Sequence, residues 1–201
     1  MAIPTRLHQL LGGQLRSARD GFFAMRTFIG APSLQEGRHF NDVVRSAGVW
    51  FRQMEEFIEG DSGARSLRGQ LRVDLFRLGR MMEDLSGTAR AIVEEMLWYR
   101  VDTDEFLRKM ANSSCESCDS LAAAWKQSRS MPSGSSECVV RAKKANRQVF
   151  RFFREGERLV LGHPEVLKRL KIRAVYRHFS DAAHRADEAA DIIESFVVQG
   201  I

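Results

Sequence analysis

Proline is scarce in this chain, with four in 201 residues at Pro4, Pro32, Pro132 and Pro164. Because proline breaks helix interiors, the proline-free span of about a hundred residues between Pro32 and Pro132 leaves room for long helices. Cysteine is scarcer still. Cys115, Cys118 and Cys138 cannot form a disulfide framework and leave one thiol over in any pairing, which suits a reducing compartment. Cys115 and Cys118 have CxxC spacing, but no second Cys or His pair accompanies them for zinc and no strand precedes them for redox work. They read as ordinary helix residues. Long apolar runs are absent: stretches such as Leu159-Val160-Leu161 fall far short of the roughly 20 residues that cross a bilayer. The opening Met1 to Arg6 lacks the charged lead, apolar stretch and cleavage site of a secretory signal, so a cytoplasmic location is the expectation. No P-loop, GxSxG or helix-opening GxGxxG occurs, nor the strands they require, and no enzyme is expected.

What the chain has is helical periodicity. Apolar residues make up 44% of it, enough for a sizeable core. From Leu67, the series Leu71, Leu75, Leu78, Met82, Leu85, Ala89, Ile92, Met96, Tyr99 advances by threes and fours for about nine turns, one long amphipathic helix. Val139, Ala142, Asn146, Val149 and Phe153 follow the same rule, as do Ile172, Val175, Phe179, Ala182, Ala186, Ala190, Ile193 and Val197. Nothing comparable has a period of two. The pattern predicts six helices, over 6–30, 36–59, 64–100, 103–129, 136–160 and 164–198. Turns are expected at Gly30 to Ser33, Gly60 to Gly63, Asp102 to Glu105 and Gly162 to Glu165, with Pro164 opening the last helix. The stretch from Ser128 to Ser136 is the most linker-like. Short joints force antiparallel neighbours, so the fold class is all-α: a bundle of long antiparallel helices, or two three-helix units end to end. Residues 1–201 form one domain in this reading, with pseudo-repeat halves 1–101 and 102–201.

The net charge of +5 is unevenly distributed. Residues 1–60 and 61–129 are nearly neutral, whereas Arg141 to Arg177 holds twelve Lys and Arg against three acids, a local balance of +9. From His178 onward the sign reverses. Lys143, Lys144, Arg147, Arg151, Arg173 and Arg177 are therefore the candidate contacts for an anionic partner or ligand, phosphate included. With no helix-turn-helix, zinc-finger or RRM signature, nucleic acid is not expected.

On the last predicted helix, Ser180, His184, Asp187, Asp191 and Glu194 advance by four, three, four and three, so they form one narrow strip. Such a strip either pairs with the basic hairpin or offers ligands to a metal between helices, with His184, Asp187 and Asp191 as the candidates. Glu36 with His39 and Asp181 with His184 have the Asp/Glu-x-x-His spacing of a ferritin-like site, a metal-dependent oxidase or storage bundle. That site needs further inward carboxylates, and none stands out.

Several segments carry a resemblance. Arg141-Ala-Lys-Lys-Ala-Asn-Arg-Gln-Val-Phe-Arg151, Leu167 to Tyr176 and Arg177 to Ile193 are similar to the PhoU-like accessory proteins of Pit phosphate transporters. Arg6 to Gly12, Gly21 to Met25, Met82 to Leu85 and Tyr99 to Val101 resemble that family more loosely. The resemblance implies a six-helix bundle of two three-helix units and a non-enzymatic regulator that docks on a phosphate transporter or sensor at the inner membrane. Self-association is a further interaction it admits. It also implies iron or zinc on acidic E-x-x-x-D motifs, but this chain departs from those motifs. Ser180 and His184 stand where Glu and Asp are expected, Ala145-Asn146 replaces an acidic segment, and Val43 to Gly48 holds no acid. One reduced site at His184, Asp187 and Asp191 is what remains, and no cofactor is required. A generic helical interaction module is the remaining alternative.

Overall fold

The computed structural model describes residues 3–45, 47–60, 67 and 69–200. Among them the chain forms α1 (Thr5–Gly30), α2 (Leu34–Val44), α3 (Ala47–Glu59), α4 (Gly69–Tyr99), α5 (Glu105–Gln127), α6 (Pro132–Leu161) and α7 (Val166–Gln199), with no strand among the described residues. The all-α bundle expected from periodicity is what the chain adopts. Three local expectations change. The predicted second helix is two segments, at a place where Val43-Val44 is followed by Ser46 and Gly48, residues of low helix propensity. The linker-like stretch is mostly helix: Pro132 opens α6, where its missing N–H costs nothing, and the buried Ser135 hydroxyl donates to the Ala124 carbonyl (2.8 Å). Pro164 lies before the cap of α7, whose N-cap is Glu165. The turn expected at Gly60 to Gly63 and the helix start at 64 fall largely outside the described residues.

Local chemistry sets the other ends. Ser33 caps α2 by accepting from the Glu36 backbone N–H (3.1 Å), and Asp104 caps α5 by accepting from that of Leu107 (2.8 Å). Helix α4 ends on Arg100, whose φ of 52° lets the Val101 N–H reach back to the Met96 carbonyl (3.0 Å).

The helices run up and down. Helix α1 packs on α2, α3, α4 and α5, and accordingly buries Leu7, Leu10, Leu11, Leu15, Phe22, Met25 and Phe28. Each such side chain contributes about 2 kcal/mol of hydrophobic burial. The Gln14 amide donates to the Gly79 carbonyl (2.7 Å), and a Cβ on Gly79 would stand 2.2 Å from the Met54 sulfur, so a larger residue there would displace the Met54 thioether. Helix α5 lies antiparallel to α1, fastened from Thr103 to the Ile29 carbonyl (2.9 Å), from Cys115 to that of Phe22 (3.1 Å) and from Trp125 to that of His8 (2.9 Å). Helix α7 runs antiparallel to α4 through Arg77 with Glu188 (2.8 Å), Arg185 with Asp84 (2.8 Å) and His178 with Glu95 (3.1 Å). Helix α6 covers α5 and α7. The α1–α4 and α5–α7 groups thus lie side by side rather than end to end, joined along α1–α5 and α4–α7.

His8 stacks on Trp125 with ring centroids 4.8 Å apart. Burial first, then the positive charge of Arg129, holds its pKa below the ordinary 6.5 against an opposing hydrogen bond at the Trp125 backbone. The unfolded chain therefore binds more protons between the two values. Stability from this site is complete above 6.5 and falls as pH drops through 6.5 toward the lower folded value. In urea titrations from about pH 7.5 down to about 5.5, the stability of the wild type is expected to drop relative to His8→Phe. An unchanged difference would mean that the fold accepts the protonated ring at no cost.

Candidate functional site

The acidic strip of α7 faces the edge of α6, and the two are zipped together. Lys143 reaches both Asp191 (2.7 Å) and Glu194 (2.6 Å), the Asn146 amide donates to Asp187 (2.8 Å), and Phe150 lies against the His184 ring with centroids 4.5 Å apart. The partners on α6 advance by three and four, as those on α7 do, which is what antiparallel neighbours require. Burial would lower the Lys143 ammonium pKa, but the hydrogen bonds and charges of Asp191 and Glu194 outweigh it and raise it above its ordinary value. His184, Asp187 and Asp191 thus share one edge, yet each is engaged with α6, and no group of three or more His, Cys, Asp or Glu among the described residues is placed to hold a metal. Glu36 and His39 lie on α2, which packs on α1 and α4, so the structure does not bring them to Asp181 and His184.

The cations divide into two sets. Lys143 is held in the zipper, and Arg173 places two nitrogens on one Glu157 oxygen (3.0 and 2.7 Å). Lys144, Arg147 and Arg177 are exposed and make no ion pair with a described residue. Arg151 has a distant contact with Glu155 (3.8 Å) and rests on the Phe152 ring (4.7 Å). Sequence reasoning had not singled out Arg154 and Arg158, which are exposed and equally unpaired among the described residues. At 100° per residue, Lys144, Arg147, Arg151, Arg154 and Arg158 fall within about 80° of one another, a stripe about 21 Å long. The buried residues Val139, Ala142, Asn146, Val149 and Val160 occupy the opposite side of α6. The steps of three, four, three and four could have revealed the stripe, since they echo the spacing of the apolar face.

A second polar feature lies inside. Where α5, α6 and α7 meet, the hydroxyls of Ser114 and Ser117 and the carbonyl oxygen of Asn146 have no hydrogen-bond partner among the described residues. They border a narrow void with Phe22, Leu85, Cys118 and three alanines of α7, Ala182, Ala183 and Ala186. The small side chains on α5 and α7 bring the helices close there. The neighbouring thiols are not nucleophiles: burial pushes Cys115 up to about 12 and Cys118 well above its ordinary range. The CxxC pair sits inside α5 as a packing element.

Neither models of known protein families nor curated proteins match the chain. No described helix is long and apolar enough to cross a membrane.

Two outcomes follow from this geometry. Ser117→Ala removes a buried hydroxyl without a partner and should stabilise the fold by about 1 kcal/mol in urea titration; a loss of similar size would mean that the hydroxyl is paired in solution. At about pH 8, a thiol reagent should modify Cys115 and Cys118 of the native protein only as fast as it unfolds, and the urea-unfolded chain at all three cysteines. Fast labelling of Cys115 or Cys118 in the folded state would contradict their burial.

Proposed function

We propose that this chain is a non-enzymatic regulator or accessory protein of phosphate transport, of the PhoU-like kind, acting by docking on a phosphate transporter or sensor at the membrane. The observation that carries the reading is the outward stripe Lys144, Arg147, Arg151, Arg154 and Arg158, five cations on one helix of which, among the described residues, only Arg151 reaches an acid, Glu155 at 3.8 Å. Rigid cations at regular spacing steer and orient an anionic partner surface, and the work requires no chemistry. The segments similar to the PhoU-like family include this stretch of α6 and most of α7. Support also comes from the way Asp187, Asp191 and Glu194 of α7 are taken up by Asn146 and Lys143, and Glu188 by Arg77, rather than by the stripe. In this reading neither a metal nor nucleic acid takes part.

Co-purification with a Pit-type phosphate transporter from cells that express both proteins tests the proposal. The wild type is expected to co-purify, and the triple variant Lys144→Glu, Arg147→Glu, Arg151→Glu to lose about tenfold or more of the association with unchanged helicity, because rim charges act through steering and complementarity. Absence of association for the wild type, or full association for the triple variant, would overturn it.

A further inference from the structure

The α6–α7 hairpin overshoots the rest of the bundle. The Tyr176 hydroxyl donates to Asp104 (2.6 Å), the residue that caps α5, so the first ten residues of α7 extend about 15 Å past the start of that helix. On the α6 side the overshoot begins at Gly156, where a Cβ would stand 2.5 Å from Tyr176 and 3.0 Å from Phe106; glycine lets the two helices and the α5 start close together at the root. The Arg173–Glu157 pair crosses the finger just above that root, and Arg169 donates to the Leu161 carbonyl (3.1 Å) at its end. The finger is therefore internally braced.

Its surface is unusual for a braced element. Leu159, Leu161, Val166, Leu167 and Leu170 are 53 to 68% exposed, all within the last turn of α6 and the first turns of α7. Among the described residues these are five of the thirteen large apolar side chains left exposed, gathered at one tip. Arg154, Arg158, Lys168, Arg169 and Lys171 surround them, and between Arg158 and Lys171 the only acid is Glu165. Leu159 borders a small hollow at the root with Phe106, Ile172 and Tyr176, and Leu161, Val166, Leu167 and Leu170 stand beyond it toward the tip. A second copy would bring the same cations against these. An anionic bilayer offers what the tip lacks: an acyl boundary that buries apolar side chains to a depth of about 5–10 Å, beneath phosphates that pair with the surrounding cations.

We infer that the tip of the α6–α7 hairpin, Leu159 to Leu170, is a docking finger for an anionic phospholipid bilayer. The five apolar side chains enter the headgroup boundary, and Arg158, Lys168, Arg169 and Lys171 engage the lipid phosphates. The stripe on α6 leads away from the same finger, so the docked molecule keeps that cationic face close to the membrane. The inference stands apart from the phosphate-transport reading, since lipid vesicles contain no transporter and the test below can fail while that reading survives.

Co-sedimentation of the full chain with phosphatidylcholine vesicles, with and without about a quarter phosphatidylglycerol, tests it. The wild type is expected to bind the anionic vesicles and not the neutral ones, and to be released by salt. Leu167→Asp with Leu170→Asp should weaken binding about tenfold or more, and Arg158→Glu with Lys168→Glu by a similar factor, with helicity and melting unchanged because all four positions are exposed. No binding to anionic vesicles at low salt would overturn the inference. So would undiminished binding by Leu167→Asp with Leu170→Asp, which would leave charge alone as the cause. Self-association of the wild type that this double variant abolishes, without vesicle binding, would assign the tip to a second copy instead.

Discussion

One side of α6 is committed to the bundle, and the helical period decides what the other side can do. Val139, Ala142, Ala145 and Val149 fill the contact with α5 and α7, while Lys143, Asn146 and Phe150 form the edge that meets α7. With 3.6 residues per turn, the positions opposite that face are forced outward. Those positions hold Lys144, Arg147, Arg151, Arg154 and Arg158. The acids of α7 are spent elsewhere: Asp187, Asp191 and Glu194 meet Asn146 and Lys143 at the α6 edge, and Glu188 pairs with Arg77 of α4. A segment that is strongly basic in sequence thus becomes, in the fold, one neutral seam and one cationic face.

The same logic explains how the interior tolerates its polar residues. Alanine runs along α7 at Ala182, Ala183, Ala186, Ala189 and Ala190, and serines and cysteines along α5, so the long helices approach closely with little side-chain volume between them. Close approach leaves Ser114, Ser117 and Asn146 without room for full hydrogen bonding, a cost that the large side chains of α1 and α4 offset by burial. The thiols in this layer are inert for the same reason. The outer face of α6 and the finger are the surfaces proposed for partners.

Much of the fold could be read from spacing alone. The apolar series through Leu75, Leu85 and Ile92 on α4 and through Val175, Phe179 and Ile193 on α7 is the buried series, because a three-four repeat marks one helix face whatever the neighbours are. Breaks were less legible. Nothing in periodicity separates α2 from α3, since the apolar pattern continues across both, and the polar run before Ser136 hides a first turn that Pro132 opens. The strip at His184, Asp187 and Asp191 was visible as a strip, but its partners depend on how α6 is rotated about its own axis, which one sequence does not encode in a readable way. The finger was invisible for a further reason. Leu159, Leu167 and Leu170 look like core residues until the start of α5 is placed beside Tyr176, and that depends on the relative lengths and offsets of three helices.

The exposed side of the α6–α7 hairpin is where we propose that the molecule meets its surroundings. Hydrogen–deuterium exchange of the full chain, alone and with anionic vesicles, measures this directly. Slowed exchange confined to the amides from Arg154 to Arg173, with α1 to α5 unchanged, is the predicted result. Protection centred on α2 and α3, or none anywhere while the protein is bound, would contradict it.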